Sequence, residues 1–184
     1  MKAMETKLTG LLVIEPVLFK DTRGYFFESY NKKKFSEVYL DFNFVQDNQS
    51  QSDYGVIRGL HYQLEPHAQS KLICVLSGRI LDICVDIRKG SSTYGEWESV
   101  ELSAENKKQV LVPKGFAHGF SVLSKKATVF YKCDNYYNRE SERGIIYSDN
   151  DLGIDWKINT EDMLISEKDQ HHPRLKDADV NFVF

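Results

Sequence analysis

The sequence predicts an all-β protein, a sandwich or barrel of short strands with only a few short helices. Short segments rich in Val, Ile, Phe and Tyr recur along the chain between turn residues, which is typical of this architecture. Helical spacing of apolar residues is confined to one short stretch. The 184 residues contain no low-complexity segment or Pro/Ser-rich linker, which favours a single domain over residues 1–184.

The predicted strands are the apolar and aromatic segments that lie between turn residues, taken here in chain order. They are Leu11 to Leu18, Tyr25 to Tyr30, Val56 to Gln63, Lys71 to Leu76, Arg79 to Ile87, Trp97 to Leu102, Gln109 to Val112 and Ala127 to Cys133. Their lengths and punctuation by turn residues favour one sandwich or barrel.

The clearest hairpin runs from Lys71 to Arg88, where Ser77-Gly78 separates two apolar runs. Its second strand alternates apolar with mostly polar residues: Leu81, Ile83, Val85 and Ile87 against Asp82, Cys84 and Asp86. In an open sheet the polar face would meet water, whereas in a barrel it would line a pocket. The pattern leaves both arrangements open.

Helix is expected at only two places. Asn31 is positioned to cap a helix over Lys32 to Tyr39, in which Phe35, Val38 and Tyr39 follow helical spacing, and a further turn is expected at Glu161 to Ile165. No internal repeat, Walker or Rossmann glycine loop or G-x-S-x-G elbow occurs, which disfavours the common nucleotide-dependent and acyl-transfer enzymes.

Composition and charge exclude several classes of protein. The apolar fraction of 41% and aromatic fraction of 12% exclude a disordered chain. Lys plus Arg at 24 against Asp plus Glu at 27 gives a net charge of −3, which excludes a general nucleic-acid coat. No apolar signal segment follows Met1 and no run of 18 apolar residues occurs, so we expect a cytoplasmic protein that contacts no membrane. The three cysteines lack C-x-x-C spacing, so free thiols are expected.

Four segments concentrate chemically capable side chains, and each also has a structural interpretation. They are Asp21 to Glu28, Gln46 to Ser50, Arg58 to Gln63 with Gln69 to Lys71, and Pro113 to Phe120. The first two could equally be a surface turn and a polar loop, and the last could be a rigid turn. In the third, strand parity puts His61 and Gln63 on one face, and Gly59 offers a bulge that redirects Arg58 to the same side.

Histidines on two different strands raise the question of a metal centre, since imidazole is the commonest transition-metal ligand. The segment from Pro113 to His118 resembles the second metal-binding motif of cupins. The first cupin motif requires a His-x-His pair and a nearby Glu, where this chain has His61-Tyr62-Gln63. A Lys71 ammonium in the same cavity would repel a divalent cation. We therefore expect no metal.

The same residues suit enolate chemistry. His61 is a plausible general base because an imidazole titrates near neutral pH, and Lys71 could stabilise a developing oxyanion. Tyr131 would add a phenol, although a strand tyrosine is by default packing. Asp169 could fix the tautomer of a histidine, or lie in a solvated loop.

The motifs together resemble one known family, the dTDP-4-dehydrorhamnose 3,5-epimerases, which are RmlC-type cupins. The resemblance runs from about Gly10 to Leu175. It rests on Asp21-x-Arg23-Gly24-x-Phe26-x-Glu28, Gln46-Asp47-Asn48-x-Ser50, Gly55-Val56-x-Arg58-Gly59-Leu60-His61-Tyr62-Gln63, Gln69-x-Lys71, Asp82 to Arg88, Pro113-x-Gly115-Phe116-Ala117-His118-Gly119-Phe120, Tyr131-Lys132 and Ser166-x-Lys168-Asp169. Each motif alone is weak, but all of them in this order are highly specific.

The resemblance implies a cupin-type jelly roll that acts on dTDP-4-dehydro-6-deoxyglucose in the synthesis of dTDP-L-rhamnose. The C4 ketone of that sugar acidifies the C–H bonds at C3 and C5, so both centres invert through enolates without a cofactor. In the family pattern His61 is the general base held by Asp169, Tyr131 returns a proton at C5, and Lys71 stabilises the enolate oxygen.

The resemblance also implies a set of substrate-binding residues. Diphosphate contacts match Arg23, Arg58 and Lys168, and nucleoside or sugar contacts match Glu28, Gln46, Asp47, Asn48 and Glu142. His118 would hydrogen-bond the substrate, and Asp82 would orient His118 or balance Lys71. Phe26 or Phe27 and Tyr136 or Tyr137 are candidates to stack on the base.

In this family the strand from Arg23 to Glu28 is exchanged into a neighbouring subunit. The resemblance therefore implies a strand-exchanged homodimer whose site is completed by its partner. Exchange would also cover an aromatic N-terminal strand that a monomer leaves as an exposed edge.

Three other functions stay open at this level. Related enzymes epimerise a single carbon or isomerise another nucleotide sugar with the same His, Lys and Tyr. A non-catalytic cupin that binds sugar nucleotides, and a metal-dependent cupin, are the remaining alternatives.

Overall fold

The chain folds as two facing sheets in the computed structural model, which describes residues 1–38 and 42–184. The strands are β1 (Lys2–Glu5), β2 (Leu12–Glu15), β3 (Phe19–Asp21), β4 (Gly24–Phe26), β5 (Gln46–Asp53), β6 (Val56–Gln63), β7 (Lys71–Ser77), β8 (Arg79–Asp86), β9 (Trp97–Ser103), β10 (Gln109–Val112), β11 (Phe116–Val122), β12 (Lys126–Cys133), β13 (Glu142–Gly144) and β14 (Leu164–Ile165). The α-helices are α1 (Lys32–Val38) and α2 (Glu167–Gln170), and 3-10 turns cover Arg139–Ser141, Thr160–Asp162 and Leu175–Asp177.

Each of the two sheets has six strands. The first has the order β1-β2-β10-β7-β12-β5, and the second has the order β13-β6-β11-β8-β9, with β14 added beside β6. All pairings are antiparallel except that of β14 with β6. Strands β3 and β4 form a separate exposed hairpin. The all-β prediction with few short helices is confirmed.

Apolar side chains fill three layers. The layer between the sheets includes Ile73, Ile80, Val110 and Val129. The outer face of the second sheet is covered by the C-terminal segment, which supplies Leu152, Trp156, Val180 and Phe182. Helix α1 covers the outer face of the first sheet, where Phe35 packs with Leu12, Ile14 and Leu72. Apolar packing therefore covers the space between the sheets, the outer face of the second sheet and only part of the outer face of the first, where alternate residues of β5 are exposed.

The alternating pattern of β8 left open whether its polar face meets water or lines the interior of a barrel, and the structure shows the second arrangement. Leu81, Ile83, Val85 and Ile87 pack outward, under the C-terminal segment. Asp82 and Cys84 alternate with them and face the interior between the sheets, where both are buried. The polar face thus lies inside the barrel.

Most predicted strands agree closely with the structure. The predicted limits of β6 and β10 are the observed ones, and those of β7, β8, β9 and β12 differ by one residue at one end. Two predicted N-terminal strands were too long. Pairing of β2 stops at Glu15, before Pro16, because proline cannot donate to a ladder. Strand β4 covers only Gly24–Phe26, since its partner β3 has three residues.

Six of the observed strands were not predicted: β1, β3, β5, β11, β13 and β14. Strand β5 reads QDNQSQSD and lacks apolar alternation, because it is an edge strand whose inner face is polar. Strand β11 was interpreted as part of a rigid turn, but the turn ends at Gly115 and Phe116–Val122 is buried along its whole length. Strand β1 is short and pairs only with β2.

The helical predictions are partly confirmed. Helix α1 covers Lys32–Val38, and Tyr39 of the predicted helix lies outside the described residues. The turn expected at Glu161 to Ile165 is a 3-10 turn over Thr160–Asp162 followed by β14. No helix in residues 1–38 and 42–184 is long and apolar enough to cross a membrane.

Candidate active site

A cavity of about 310 Å³ opens between the two sheets. Strands from both sheets and the loop after β12 supply its walls: Gln46, Asn48, His61, Tyr62, Gln63, Gln69, Lys71, Tyr131, Tyr137 and Glu142. His61 also borders a second, more open groove of about 690 Å³, which is lined by Arg58, Lys168 and Asp169 among others. The two spaces meet at His61.

A bulge in β6 brings Arg58 and His61 to the same side. His118 of β11 pairs with His61, and Phe120 pairs with Arg58, so two residues of β6 oppose the single Gly119. Gly59 has a φ of +126°, and a Cβ there would lie 2.5 Å from the Cα of Gly119. Only glycine fits this close approach. The predicted bulge is confirmed.

His61 forms a close pair with Asp169, which lies 108 residues further along the chain. The distance from His61 Nε2 to Asp169 Oδ1 is 2.7 Å, and the Asp169 side chain is 5% exposed. An ionised carboxylate only accepts hydrogen bonds, so His61 carries its proton on Nε2 and leaves Nδ1 free to accept one. This is the arrangement of a general base held in one tautomer.

Asp169 is held in its charged form. Burial alone would raise its pKa, but the hydrogen bond from His61 and the backbone N–H of Gly59, 3.3 Å from Oδ2, outweigh burial and lower the pKa. Its position is set by α2, where the Ser166 hydroxyl caps the helix by accepting from the backbone N–H of Asp169. A stable negative charge therefore faces His61.

Lys71 and Tyr131 are diagonal neighbours on the first sheet, since Lys71 pairs with Cys133 and Tyr131 with Ile73, and both line the cavity. They belong to the neighbouring strands β7 and β12. Burial lowers the pKa of Lys71, and the negative charges of groups such as Asp82 oppose that shift. Burial also raises the pKa of Tyr131, so its phenol keeps its proton at neutral pH. The first sheet thus presents a cation and a proton donor.

His118 forms a second histidine–aspartate pair beneath the cavity. Its Nε2 lies 2.8 Å from Oδ2 of Asp82, and both side chains are nearly buried, at 10% and 1% exposed. Asp82 also contributes to the electrostatic environment of Lys71. Both interactions expected of Asp82 are present.

Polar groups from three segments meet at the mouth of the cavity. Glu142 Oε2 accepts a hydrogen bond from the Tyr137 hydroxyl at 3.0 Å and forms an ion pair with Lys168. Burial alone would raise the pKa of Glu142, but these two partners lower it. Gln46 joins this group, because its Oε1 accepts from the backbone N–H of Tyr137 at 3.0 Å while its Nε2 donates to Asn48 Oδ1 at 3.1 Å.

Three of the predicted site residues lie away from the cavity and the groove within a single chain. Asp47 lies on the opposite face of β5 from Gln46 and Asn48 and forms an ion pair with Lys132 at 2.9 Å. Arg23, with its side chain 88% exposed, pairs with Asp21 in the β3–β4 hairpin, and Glu28 pairs with Lys34. These three predicted residues line neither of the two spaces beside His61.

Two further residues at the site have contacts that the sequence did not predict. Gln63 holds the loop over the cavity, because its amide donates to the carbonyl of His67 and accepts from the backbone N–H of Asn138. His172 lies 3.4 Å from Asp169 Oδ1. The sequence offered one indication of this contact, because residues three positions apart lie on the same side of a helical turn, and His172 follows Asp169 by three residues.

Two groups of described residues hold ligand-type atoms within 4.8 Å of one another: His61, Asp169 and His172, and Asp82, Cys84 and His118. In each group a histidine Nε2 already contacts the carboxylate at hydrogen-bond distance. The geometry of both groups is that of a hydrogen-bonded histidine–aspartate pair, the arrangement suited to proton transfer.

Comparison with known proteins agrees with this geometry. Residues 5–177 match the family described as dTDP-4-dehydrorhamnose 3,5-epimerase. The enzyme of that name from Shigella flexneri is 49% identical over 97% of this chain and 98% of its own length.

Solved structures give the same result. The crystal structure of dTDP-4-dehydrorhamnose 3,5-epimerase from Elizabethkingia anophelis NUHP1 is 56% identical, with a TM-score of 0.93 over 96% of this chain and 97% of that one. The epimerase RmlC from Legionella pneumophila Philadelphia 1, in complex with dTDP-4-keto-L-rhamnose, is 47% identical, with a TM-score of 0.93 over 97% and 94% of the two chains. The resemblance seen in the sequence motifs is thus confirmed, and the chain belongs to the dTDP-4-dehydrorhamnose 3,5-epimerase family.

Proposed function

We propose that this epimerase inverts C3 and C5 of dTDP-4-dehydro-6-deoxy-D-glucose and so produces dTDP-4-dehydro-L-rhamnose. The observation that carries the proposal is one cavity in which the His61–Asp169 pair faces Lys71 and Tyr131. The C4 ketone makes the protons on both neighbouring carbons acidic, so a base, a cation and an acid are sufficient. The reaction requires no metal or cofactor.

His61 removes the proton. Its Nε2–H donates to the charged Asp169, which leaves Nδ1 as the accepting atom and stabilises the imidazolium that forms. A positioned general base contributes on the order of 10²–10⁴ to the rate.

Tyr131 supplies the proton that completes inversion. Inversion requires a proton to leave from one face of the carbon and another to enter from the opposite face. His61 lies on β6 of the second sheet and Tyr131 on β12 of the first, so the acid and the base belong to opposite walls of the cavity. Tyr131 is in its protonated, donating form at neutral pH because burial raises its pKa.

Lys71 stabilises the enolate. Abstraction next to the ketone moves negative charge onto the C4 oxygen, and a cation in a water-poor cavity stabilises that charge in the transition state. Burial destabilises the charged form of Lys71, and the negative charge of the developing oxyanion stabilises it again.

The rest of the substrate is bound around this centre. Arg58 and Lys168 line the open groove and bind the diphosphate, since cationic donors suit phosphate oxygens. Gln46, Asn48 and Glu142 line the cavity beside the sugar and nucleoside, and His118 supports the sugar from below. Tyr137, which is 54% exposed, offers a face on which the base can stack.

A homodimer completes the site through Arg23 and Glu28 of the exchanged strand. The β3–β4 hairpin leaves Phe19, Tyr25 and Phe26 between 55% and 65% exposed, which favours a partner that covers them. Exchange of this hairpin would carry the Arg23 guanidinium toward the diphosphate groove of the neighbouring subunit. Analytical ultracentrifugation tests the dimer, and a monomer at micromolar concentration would contradict it.

His61→Asn tests the catalytic proposal against that of a non-catalytic binding protein. We expect turnover to fall by at least about 10²-fold while binding of dTDP, measured by calorimetry, is retained. His67→Asn is the matched control, because the imidazole of His67 lines neither space beside His61. A wild-type protein that binds dTDP but turns over no substrate would establish the binding-protein alternative. Activity lost on chelation and restored by a metal would establish the metal-dependent alternative.

A further inference from the structure

His172 lies against the catalytic pair, with its side chain only 12% exposed. It follows α2, and its ring packs directly on Gly144 of β13, the residue that pairs with His61 in the ladder. A Cβ at Gly144 would lie 2.4 Å from His172 Nε2 and 2.5–2.6 Å from two ring carbons. Glycine at position 144 therefore provides the space that the imidazole occupies.

The ring of His172 is aimed at the carboxylate that His61 uses. Its Nε2 lies 3.4 Å from Oδ1 of Asp169, the same oxygen that His61 contacts at 2.7 Å. The two imidazoles meet edge to face, with centroids 5.7 Å apart and an interplanar angle of 78°. His172 Nε2 is the only buried side-chain nitrogen or oxygen in the described part of the chain that lacks a hydrogen-bond partner. The acceptor Asp169 Oδ1 lies just beyond the usual N–H···O distance from it.

We propose that His172 is a positioning residue of the catalytic pair, whose Nε2–H donates to Asp169 Oδ1 and limits how strongly Asp169 stabilises a proton on His61. The proposal rests on the proposed function, in which His61 is the base. A second donor on the same oxygen withdraws charge from it, so the imidazolium of His61 is stabilised less. His61 then stays unprotonated, and active as a base, to lower pH.

The charges around His172 keep it a neutral donor. Burial lowers the pKa of His172, and the neighbouring charges of His61 on β6 and Lys168 on α2 lower it further, against the opposing effect of Asp169. Glu142 on β13 interacts with His61 in the same cluster. When His61 becomes an imidazolium during turnover, its charge disfavours a second proton on His172.

The test is the pH titration of His61 in substrate-free protein with ¹⁵N-labelled imidazoles, followed by NMR. We expect the His61 midpoint to rise by about 0.5 pH unit or more in His172→Phe. His172→Gln places an amide N–H near the position of Nε2 and should restore the wild-type midpoint. His171→Gln is the matched control, because His171 is exposed and its Nδ1 contacts only the carbonyl of Glu167. The acidic limb of the pH profile of kcat/KM should move with the His61 midpoint.

A residue with only a structural role would lower Tm and leave the His61 midpoint unchanged, and that result would overturn the proposal. An equal rise in His171→Gln would also overturn it. If His172→Phe does not fold, the wild-type spectrum decides: we expect a protonated Nε2 on His172 at pH 7, and an unprotonated Nε2 would contradict the proposal. The titration needs no substrate, so a failure of the epimerase proposal would appear separately, as an absence of turnover.

Discussion

His61 and His118 lie directly opposite each other on β6 and β11, and each contacts its own buried carboxylate. The Asp169 pair borders the cavity, whereas the Asp82 pair lies below it and is almost closed to solvent. His61 is therefore placed to exchange protons with a substrate, and His118 is placed to hold the substrate. This asymmetry agrees with the roles that the family resemblance implies, His61 as the base and His118 as a substrate contact.

Tyr131→Phe should separate the two inversions. The substitution removes the phenolic proton and keeps the ring, so packing in the barrel is preserved. We expect solvent exchange at C3 to continue, while inversion at C5 falls by about 10²-fold or more, because its proton donor is lost. NMR of the sugar ring during turnover measures both. Equal loss at the two carbons would contradict the assignment.

The alkaline limb of activity should depend on Lys71. Burial lowers its pKa from the ordinary value of 10.5, and the enolate requires the cation, so activity should fall as pH rises through this lowered pKa. Lys71→Arg keeps a charge that does not titrate in this range, so its alkaline limb should move upward. Lys71→Met should lose about 10²–10³ in kcat at all pH values. A Lys71→Arg profile identical to the wild-type profile would contradict this role.

Gly59→Ala should destabilise the protein and misplace His61. A Cβ at this position would lie 2.5 Å from Gly119 Cα and 2.8 Å from the carbonyl oxygen of His118. We expect the free energy of unfolding to fall by about 2–4 kcal/mol in urea denaturation. Gly90→Ala is the control, since Gly90 also has a positive φ, of +91°, but nothing lies within 4 Å of its added Cβ. Equal losses in the two variants would contradict the close-approach argument.

Stability at low pH should depend on Asp86 at the end of β8. Burial opposes its ionisation, but hydrogen bonds from Arg88, Ser91 and Thr93 lower its pKa to about 2. A folded-state pKa below the ordinary 3.8 means that the ionised group stabilises the fold above pH 4 and that this contribution is lost as pH falls through 2. The contribution is about 2 kcal/mol. Asp86→Asn should therefore lower the free energy of unfolding at pH 7, and the difference from the wild type should shrink toward pH 2.

The sequence predicted the strands that have a regular apolar face. The alternation in β8 and the continuous apolar run of β7 identify buried strands, and Gly59 identified the bulge beside His61. Strand β5 was missed because its inner face is built from Gln46, Asn48 and other polar residues, which remove the alternation on which such predictions depend.

The motifs predicted most residues of the site, and the family resemblance implied that Asp169 holds His61, 108 residues earlier. No motif indicated that Glu142 meets both Tyr137 and Lys168, and those contacts required the structure. The position of His172 depends on the space beside Gly144, where the segment that follows α2 packs on β13. That Arg23 and Glu28 bind substrate in the site of a neighbouring subunit remains a prediction.

The account's central claim is that one cavity inverts two carbons by proton exchange with solvent. The most direct test incubates chelator-treated protein with dTDP-4-dehydro-6-deoxyglucose in heavy water and counts deuterons on the product by mass spectrometry and NMR. We predict two deuterons, at C3 and C5, in a product inverted at both carbons. A single deuteron at one inverted carbon would contradict the claim and identify a single-site epimerase.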